Sequence, residues 1–204
     1  MAPPGSAFGK PTVLRCSRCG KFVDWADARL QVVCECRSRI DLPPVLVREG
    51  ADADRPAVME LFRRDFGRTT IVAFGAIVAL DDAPALVADM KGEIAGALAY
   101  RLRGDALHIV ALATDATWQR SGVGGHLVAE AELLARRLHL ARVVFCTTND
   151  NLPSLYFYQR RGYVISEVVV GSLTPWHQAP GDTGFAGIPV RDEVRLEKPL
   201  PPEL

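Results

Sequence analysis

From Val123 to Leu138, apolar side chains recur every third or fourth position: Val123, Leu127, Val128, Ala131, Leu134, Ala135 and Leu138, with Glu130, Glu132, Arg136 and Arg137 between them. That period draws one apolar stripe along an amphipathic helix over 122–138. The period changes on both sides of it. Leu107–Thr114 and Ala141–Thr147 are short, nearly continuous apolar runs, as buried strands are. Ala85–Asp89, Ile94–Arg101 and Ala106–Thr114 read as consecutive strands, with turns at Lys91-Gly92 and Arg103-Gly104-Asp105. Before them comes a strand at Val45–Glu49. A helix follows it to Phe66, capped by Asp52 or Asp54 and with Pro56 in its first turn. Thr69–Leu80 is rich in β-branched residues and fits either strand or a second helix. Downstream lie a helix at Leu152–Arg161, a strand at Tyr163–Val170 and an irregular stretch from Gly171 to Pro189. At Asp192–Lys198, Val194 and Leu196 alternate with charge, which predicts an edge strand. The order is that of an α+β domain.

The junction between the Leu107–Thr114 strand and the long helix carries the sharpest chemistry. It reads Gln119-Arg120-Ser121-Gly122-Val123-Gly124-Gly125. A glycine-rich turn that opens a helix leaves backbone N–H groups unpaired and points the positive end of the helix dipole outward, a seat for phosphate. Gly122 and Gly124 leave room for the backbone to close around an anion. No Gly-Lys-Ser/Thr completes a P-loop, and the glycine spacing is not that of a dinucleotide fingerprint. A second segment runs from Asn149 through Asn151, Ser154, Phe157 and Tyr158 to Gly162-Tyr163, directly after the Ala141–Thr147 run.

Gln-x-x-Gly-x-Gly, then a strand, then Asn-x-x-Ser-x-x-Phe-Tyr-x-x-x-Gly-Tyr resembles the GCN5-related N-acetyltransferase (GNAT) superfamily. The match is densest over 105–170 and extends more weakly from Val45 to Leu200. The resemblance implies a mixed, mostly antiparallel central sheet flanked by helices. It also implies acetyl-CoA as co-substrate and a primary amine of a small molecule or protein as acceptor. A phosphate-binding αβ protein of another kind is the blander alternative.

Carried onto this chain, the resemblance implies that Leu112, Ala113 and Thr114 offer backbone groups to the pantetheine arm and the thioester carbonyl. Gln119, Arg120, Ser121, Gly122, Val123, Gly124 and Gly125 would hold the pyrophosphate. Tyr158 would protonate the departing thiolate, a sensible acid because a phenol titrates near a thiol; its alternative is packing among Tyr156, Phe157 and Tyr163. Asn151 would reach the pantetheine or simply cap its helix. His108 stands where histone acetyltransferases of the superfamily carry a base glutamate, and an imidazole suits that task; a half-buried strand histidine is the competing reading. Asp115 reads as tuning the turn. Trp176, His177 and Phe185 fit either acceptor contacts or pins that hold their loop. Cys146, within an apolar strand and with no basic neighbour, reads as a small core residue.

Four of the five cysteines fall in the first 36 residues, as Cys16-x-x-Cys19 and Cys34-x-Cys36. Clustered thiols in a reducing compartment favour metal over disulfides. Gly20 behind the first pair resembles the knuckle of a zinc ribbon, whereas the one-residue gap of the second departs from the usual spacing. A structural Zn2+ on Cys16, Cys19, Cys34 and Cys36 is expected, against a redox pair or bare thiols. Leu42-Pro43-Pro44 then joins a zinc-ribbon-like module (1–42) to the acetyltransferase domain (45–200). So short a module needs the metal to fold.

With 204 residues, 49% hydrophobic and a formal charge of zero, the chain can build a full core and is not designed to coat nucleic acid or an anionic membrane. Residues 1–42 hold seven Lys/Arg against four Asp/Glu, which gives nucleic acid only weak support. Met1–Ser6 lacks the regions of a signal peptide, and the longest apolar run, Ile71–Leu80, is too short for a span. A cytoplasmic location is expected. The competing class of function is a catalytically silent CoA sensor or scaffold, with the zinc module binding a protein or nucleic-acid partner. Acceptor identity and a homodimer stay open.

Overall fold

The computed structural model describes residues 12–15, 22–25, 31–33, 39–41, 45–90, 92–119, 121–176 and 183–201. Two short antiparallel hairpins come first: β1 (Thr12–Arg15) with β2 (Phe22–Trp25), and β3 (Gln31–Val33) with β4 (Arg39–Asp41). Then follow β5 (Leu46–Glu49), α1 (Arg55–Phe66), β6 (Thr70–Ala73), β7 (Ala76–Ala79), β8 (Ala85–Met90), β9 (Glu93–Arg103) and β10 (Ala106–Thr114). The remaining elements are α2 (Val123–Arg137), β11 (Arg142–Thr148), α3 (Leu152–Gln159), β12 (Val164–Val169) and β13 (Glu193–Pro199). Seven strands pair in the order β12-β13-β11-β10-β9-β8-β5. The sheet is mixed and mostly antiparallel; β10 and β11 form a parallel pair, from Ala106↔Arg142 to Ile109↔Phe145.

The chain forms two compact units. The first comprises Met1–Gly67, Pro84–Leu98 and Leu112–Glu130. There β5 pairs antiparallel with β8, and Gly50 N–H continues the ladder to the Ala85 carbonyl at 2.8 Å. Helix α1 starts at Pro56 in its first turn and ends on Gly67 in the left-handed region. Asp54 stands at its N-cap position without capping it. Its carboxylate instead grips the Arg48 guanidinium with both oxygens, at 2.5 and 2.8 Å.

The start of α2 lies on β9. Val123 and Leu127 are buried, and the small residues of β9 let them approach. A Cβ built at Gly96 would stand 2.6 Å from Val123 Cγ1 and 3.1 Å from both Leu127 Cδ1 and the Ala113 carbonyl oxygen.

The second unit comprises Arg68–Ala83, Ala99–Ala111 and Ala131–Leu204. Residues paired across the sheet share a face, so His108, Val144 and Glu197 point one way, and Val143, Phe145 and Lys198 the other. Helices cover the second face: Tyr158 of α3 stacks on Phe145, and Glu132 of α2 binds Lys198 Nζ at 2.8 Å. The ambiguous Thr69–Leu80 stretch is a hairpin, β6 with β7, on the first face. Phe74 and Gly75 both take positive φ, the two-residue turn that suits a twisted ribbon, and the Phe74 ring rests 4.5 Å from that of His108.

One expectation is corrected here. Asp192–Lys198 is no edge: β13 lies between β12 and β11. Its alternating charges are partnered rather than solvated, since Arg195 binds Glu193 at 2.7 Å and Glu167 at 2.6 Å. An edge is β12, whose apolar Val164, Ile165 and Val168 are exposed. The helix stripe also stops one residue early. His139 takes a positive φ, which ends α2 at Arg137 and leaves Leu138 partly exposed.

Gly96→Ala should lower unfolding free energy by about 1–3 kcal/mol, because the fixed Ala113 carbonyl cannot yield to the added methyl. Urea unfolding followed by circular dichroism measures it; a variant as stable as the parent would show that α2 has slack over β9.

Candidate active site

In the first unit the loop ahead of α2 is built by short local hydrogen bonds. Asp115 N–H donates to the Ala95 carbonyl at 2.9 Å, which fixes where β10 ends. The Asp115 carboxylate accepts Thr117 N–H at 2.8 Å and receives Arg64 of α1 at 2.6 Å. Burial works against that charge, yet Arg64 and the Thr117 amide hold the carboxyl below its ordinary range. Asp115 thus tunes the turn, as its sequence position suggests. Gln119 Nε2 reaches back to the Thr114 carbonyl at 3.4 Å, and buried Ser121 donates its hydroxyl to the Trp118 carbonyl.

Gly122 then turns with φ near +90°, which only glycine adopts at no steric cost. The first ladder bond of α2 runs from His126 N–H to the Gly122 carbonyl, at 3.0 Å. The amides of Val123, Gly124 and Gly125 stand ahead of that ladder. The loop's Arg120 lies outside the described residues, as do Cys16, Cys19, Cys34, Cys36 and His177. Leu112 and Thr114 are half-buried on one side of β10, and Ala113 is buried on the other.

In the second unit Asn151 accepts Ser154 N–H at 3.2 Å and caps α3. The cap aims α3 so that Tyr158 is fully buried. Its ring stacks on Phe145 at 3.7 Å and meets Phe157 and Tyr163 edge-on at 5.0 and 5.1 Å. The Tyr158 hydroxyl has no hydrogen-bond partner, and burial pushes the phenol well above its ordinary range, so its proton is firmly held. Tyr163 shares the orphaned hydroxyl, so what singles out Tyr158 is its motif position.

His108 is half-buried against Phe74. Desolvation, followed by the nearby Arg103, Arg142 and Arg195, lowers its pKa below the ordinary imidazole value, which leaves it neutral at neutral pH. His108 and Tyr158 occupy opposite faces of the sheet. Cys146 is buried, and desolvation pushes its thiol up to about 12, so it is a core residue and no nucleophile.

Two kinds of residue escape a reading by motif. Arg64, on the last turn of α1, reaches Asp115 across 51 positions of sequence, which no local pattern announces. Asn149 and Asp150 sit beside the motif asparagine and look like loop polarity, yet both bind segment 183–192. Among the described residues no group of three or more His, Cys, Asp or Glu is placed to hold a metal ion, and no helix is long and apolar enough to cross a membrane.

Comparison with known proteins bears on this arrangement. "Uncharacterized protein YxbD" of Bacillus subtilis (strain 168) is 29% identical over 148 residues, spanning 70% of this chain and 91% of the relative. The structure of an IAA acetyltransferase from Bacillus cereus ATCC 14579 superposes with a TM-score of 0.60 at 19% identity, covering 77% of this chain and 100% of that one. A Bacillus subtilis acetyltransferase in complex with CoA gives 0.60 at 21% identity, covering 78% and 100%. At these identities the structural likeness is one of fold. The sequence model of the acetyltransferase (GNAT) family matches residues 55–163, more than half of the chain and inclusive of both motifs. This chain is a member of the acetyltransferase (GNAT) family.

Proposed function

We propose that this protein is an acetyl-CoA-dependent N-acetyltransferase that acts on a primary amine. The observation that carries the reading is the start of α2: Gly122 at positive φ, followed by three amides ahead of the helical ladder and a dipole aimed outward. Such a start suits the pyrophosphate of CoA. That a Bacillus subtilis relative of this fold holds CoA supports it. Residues Gln119–Gly125 would take the pyrophosphate, and the backbone of Leu112, Ala113 and Thr114 the pantetheine arm and the thioester oxygen. Asn151 would contact the arm, as its motif position implies.

In this reading the acceptor enters as a neutral amine, and His108, neutral at working pH, takes one proton from its nitrogen as it attacks. The amine nitrogen bonds to the thioester carbon, oriented backbone N–H groups hold the oxyanion, and the carbon–sulfur bond breaks. Tyr158 gives its proton to the departing thiolate, whose own basicity is raised by the same dry surroundings that raise the phenol. A buried hydroxyl with no partner is costly to leave so, and a thiolate arriving beside it would supply the acceptor. Base and acid on opposite faces suit an amine that enters from one side and a thiolate that leaves toward the other.

The same proposal keeps residues 1–42 as a zinc-ribbon-like module ahead of the acetyltransferase domain at 45–200. Cys16-x-x-Cys19 falls between β1 and β2 in sequence, and Cys34-x-Cys36 between β3 and β4, so each thiol pair belongs to the connection of one antiparallel hairpin. Four thiolates match the ligand count of a closed tetrahedral zinc site. Four thiolates leave no open position, so the metal would hold the module together and take no part in acetylation.

Three measurements check these assignments. Gly124→Glu places a carboxylate where the pyrophosphate should lie, so calorimetry should find acetyl-CoA binding lost while the circular dichroism spectrum is kept; undiminished affinity would remove the loop from the site. Tyr158→Phe should lower turnover by roughly two orders of magnitude or more with cofactor affinity kept. Parental rates would return Tyr158 to a packing role. Elemental analysis should find about one zinc per full-length chain and about none in a chain that starts at Val45. Metal in the shortened protein would contradict the four-cysteine site.

A further inference from the structure

The tripeptide Asn149-Asp150-Asn151, at the carboxyl end of β11, is shared between two structures. Asn151 caps α3. Its two predecessors hold the Thr183–Asp192 segment of the β12–β13 connection. Asn149 Oδ1 accepts the amides of Arg191 and Asp192 at 2.9 and 3.0 Å, and Asn149 Nδ2 donates to the Pro189 carbonyl at 3.0 Å. The Asn149 amide donates to the Asp192 carbonyl at 2.9 Å. Asp150 is 7% exposed, and its Oδ2 accepts Phe185 N–H at 2.9 Å. The fit leaves no room: a Cβ built on Gly184 would stand 1.7 Å from that oxygen. Within the segment Gly184 N–H closes onto the Ile188 carbonyl at 2.9 Å, with Ala186 and Gly187 both at positive φ between them.

This arrangement is costly. Asp150 Oδ1 is buried without a partner, and a left-handed alanine is strained. Antiparallel neighbours such as β12 and β13 need only a two-residue turn to join them. The long connection and its anchoring therefore serve more than chain continuity. Its place points to the purpose. In open sheets ligands lie beyond the carboxyl ends of parallel strands, and β11 is one of the parallel pair. The helix that carries Tyr158 departs from the same tripeptide.

We propose that Asn149 and Asp150 form a latch that sets the Thr183–Asp192 segment as a wall of the acceptor-amine site. They are positioning residues for the acceptor, with no part in holding CoA. The proposal rests on the N-acetyltransferase reading above.

Gly184→Ala tests it, because the new methyl must displace the Asp150 carboxylate. Against the best acceptor found in a panel of a polyamine, an aminoglycoside and peptides with free N-termini, KM should rise roughly fivefold or more. The acetyl-CoA dissociation constant, read by calorimetry, should stay within about twofold of the parent. Hydrogen exchange at the amides of 185–192 should quicken roughly tenfold.

Asp150→Ala should do the same by removing the latch. Asp150→Ala with Gly184→Ala should be little worse than Asp150→Ala alone, since the contacts with the carboxylate are gone and only the 2.9 Å approach to the Cβ of residue 150 remains. Asp150→Asn, which keeps an oxygen for Phe185 N–H, should restore the acceptor KM. Faster exchange with an unchanged acceptor KM would overturn the proposal, and so would unchanged exchange in both single variants. A parent protein that binds acetyl-CoA yet acetylates nothing in the panel would instead fail the N-acetyltransferase reading, and this proposal with it.

Discussion

Three backbone amides ahead of the α2 ladder are the constraint around which the first unit is organised. They are usable only if α2 begins at a fixed place and angle. Gly96 provides the close seat on β9, and Val123 and Leu127 fill it. Asp115 ties the end of β10 to Ala95 and, through Arg64, to α1. The Arg64–Asp115 pair is partly exposed, so it contributes about 1 kcal/mol or less, and its value is directional. Packing supplies the stability here, and the local hydrogen bonds supply the aim.

The second unit solves a different problem, that of keeping a phenol protonated and dry. Phe145, Phe157 and Tyr163 box the Tyr158 ring, and the Asn151 cap sets the helix that carries it. On the opposite face the β6–β7 hairpin tip reaches His108, and Gly75 N–H also finds the buried Glu193 carboxylate at 3.3 Å. Arg195 neutralises Glu193 on one side and meets Glu167 on the other. The hairpin is thereby fixed over the base candidate by an ion network running through β13.

Much of this was legible in the sequence, because period and punctuation are local. The 3.6-residue stripe from Val123 and the apolar runs at Leu107–Thr114 and Ala141–Thr147 became α2, β10 and β11 within a residue or two. Gly122 gave its turn away, since few other residues fit there. What was illegible depends on partners far along the chain. β-branched Thr70–Val72 could not be told from a helix until Phe74-Gly75 turned back on itself. The charges of β13 looked solvated because their partners, Glu167 and the Gly75 amide, belong to other elements. The partners of Asn149 and Asp150 were hidden for the same reason, since they lie at Phe185 and at Pro189–Asp192.

The central claim, that CoA is held by the backbone at the start of α2, is tested most directly by an amide-resolved NMR titration of the full chain with CoA. The account predicts that the largest saturable shifts fall on the amides of Ser121–His126, with a second group at Leu112–Thr114. Saturable binding that leaves those amides unmoved and perturbs other parts of the sheet would contradict it.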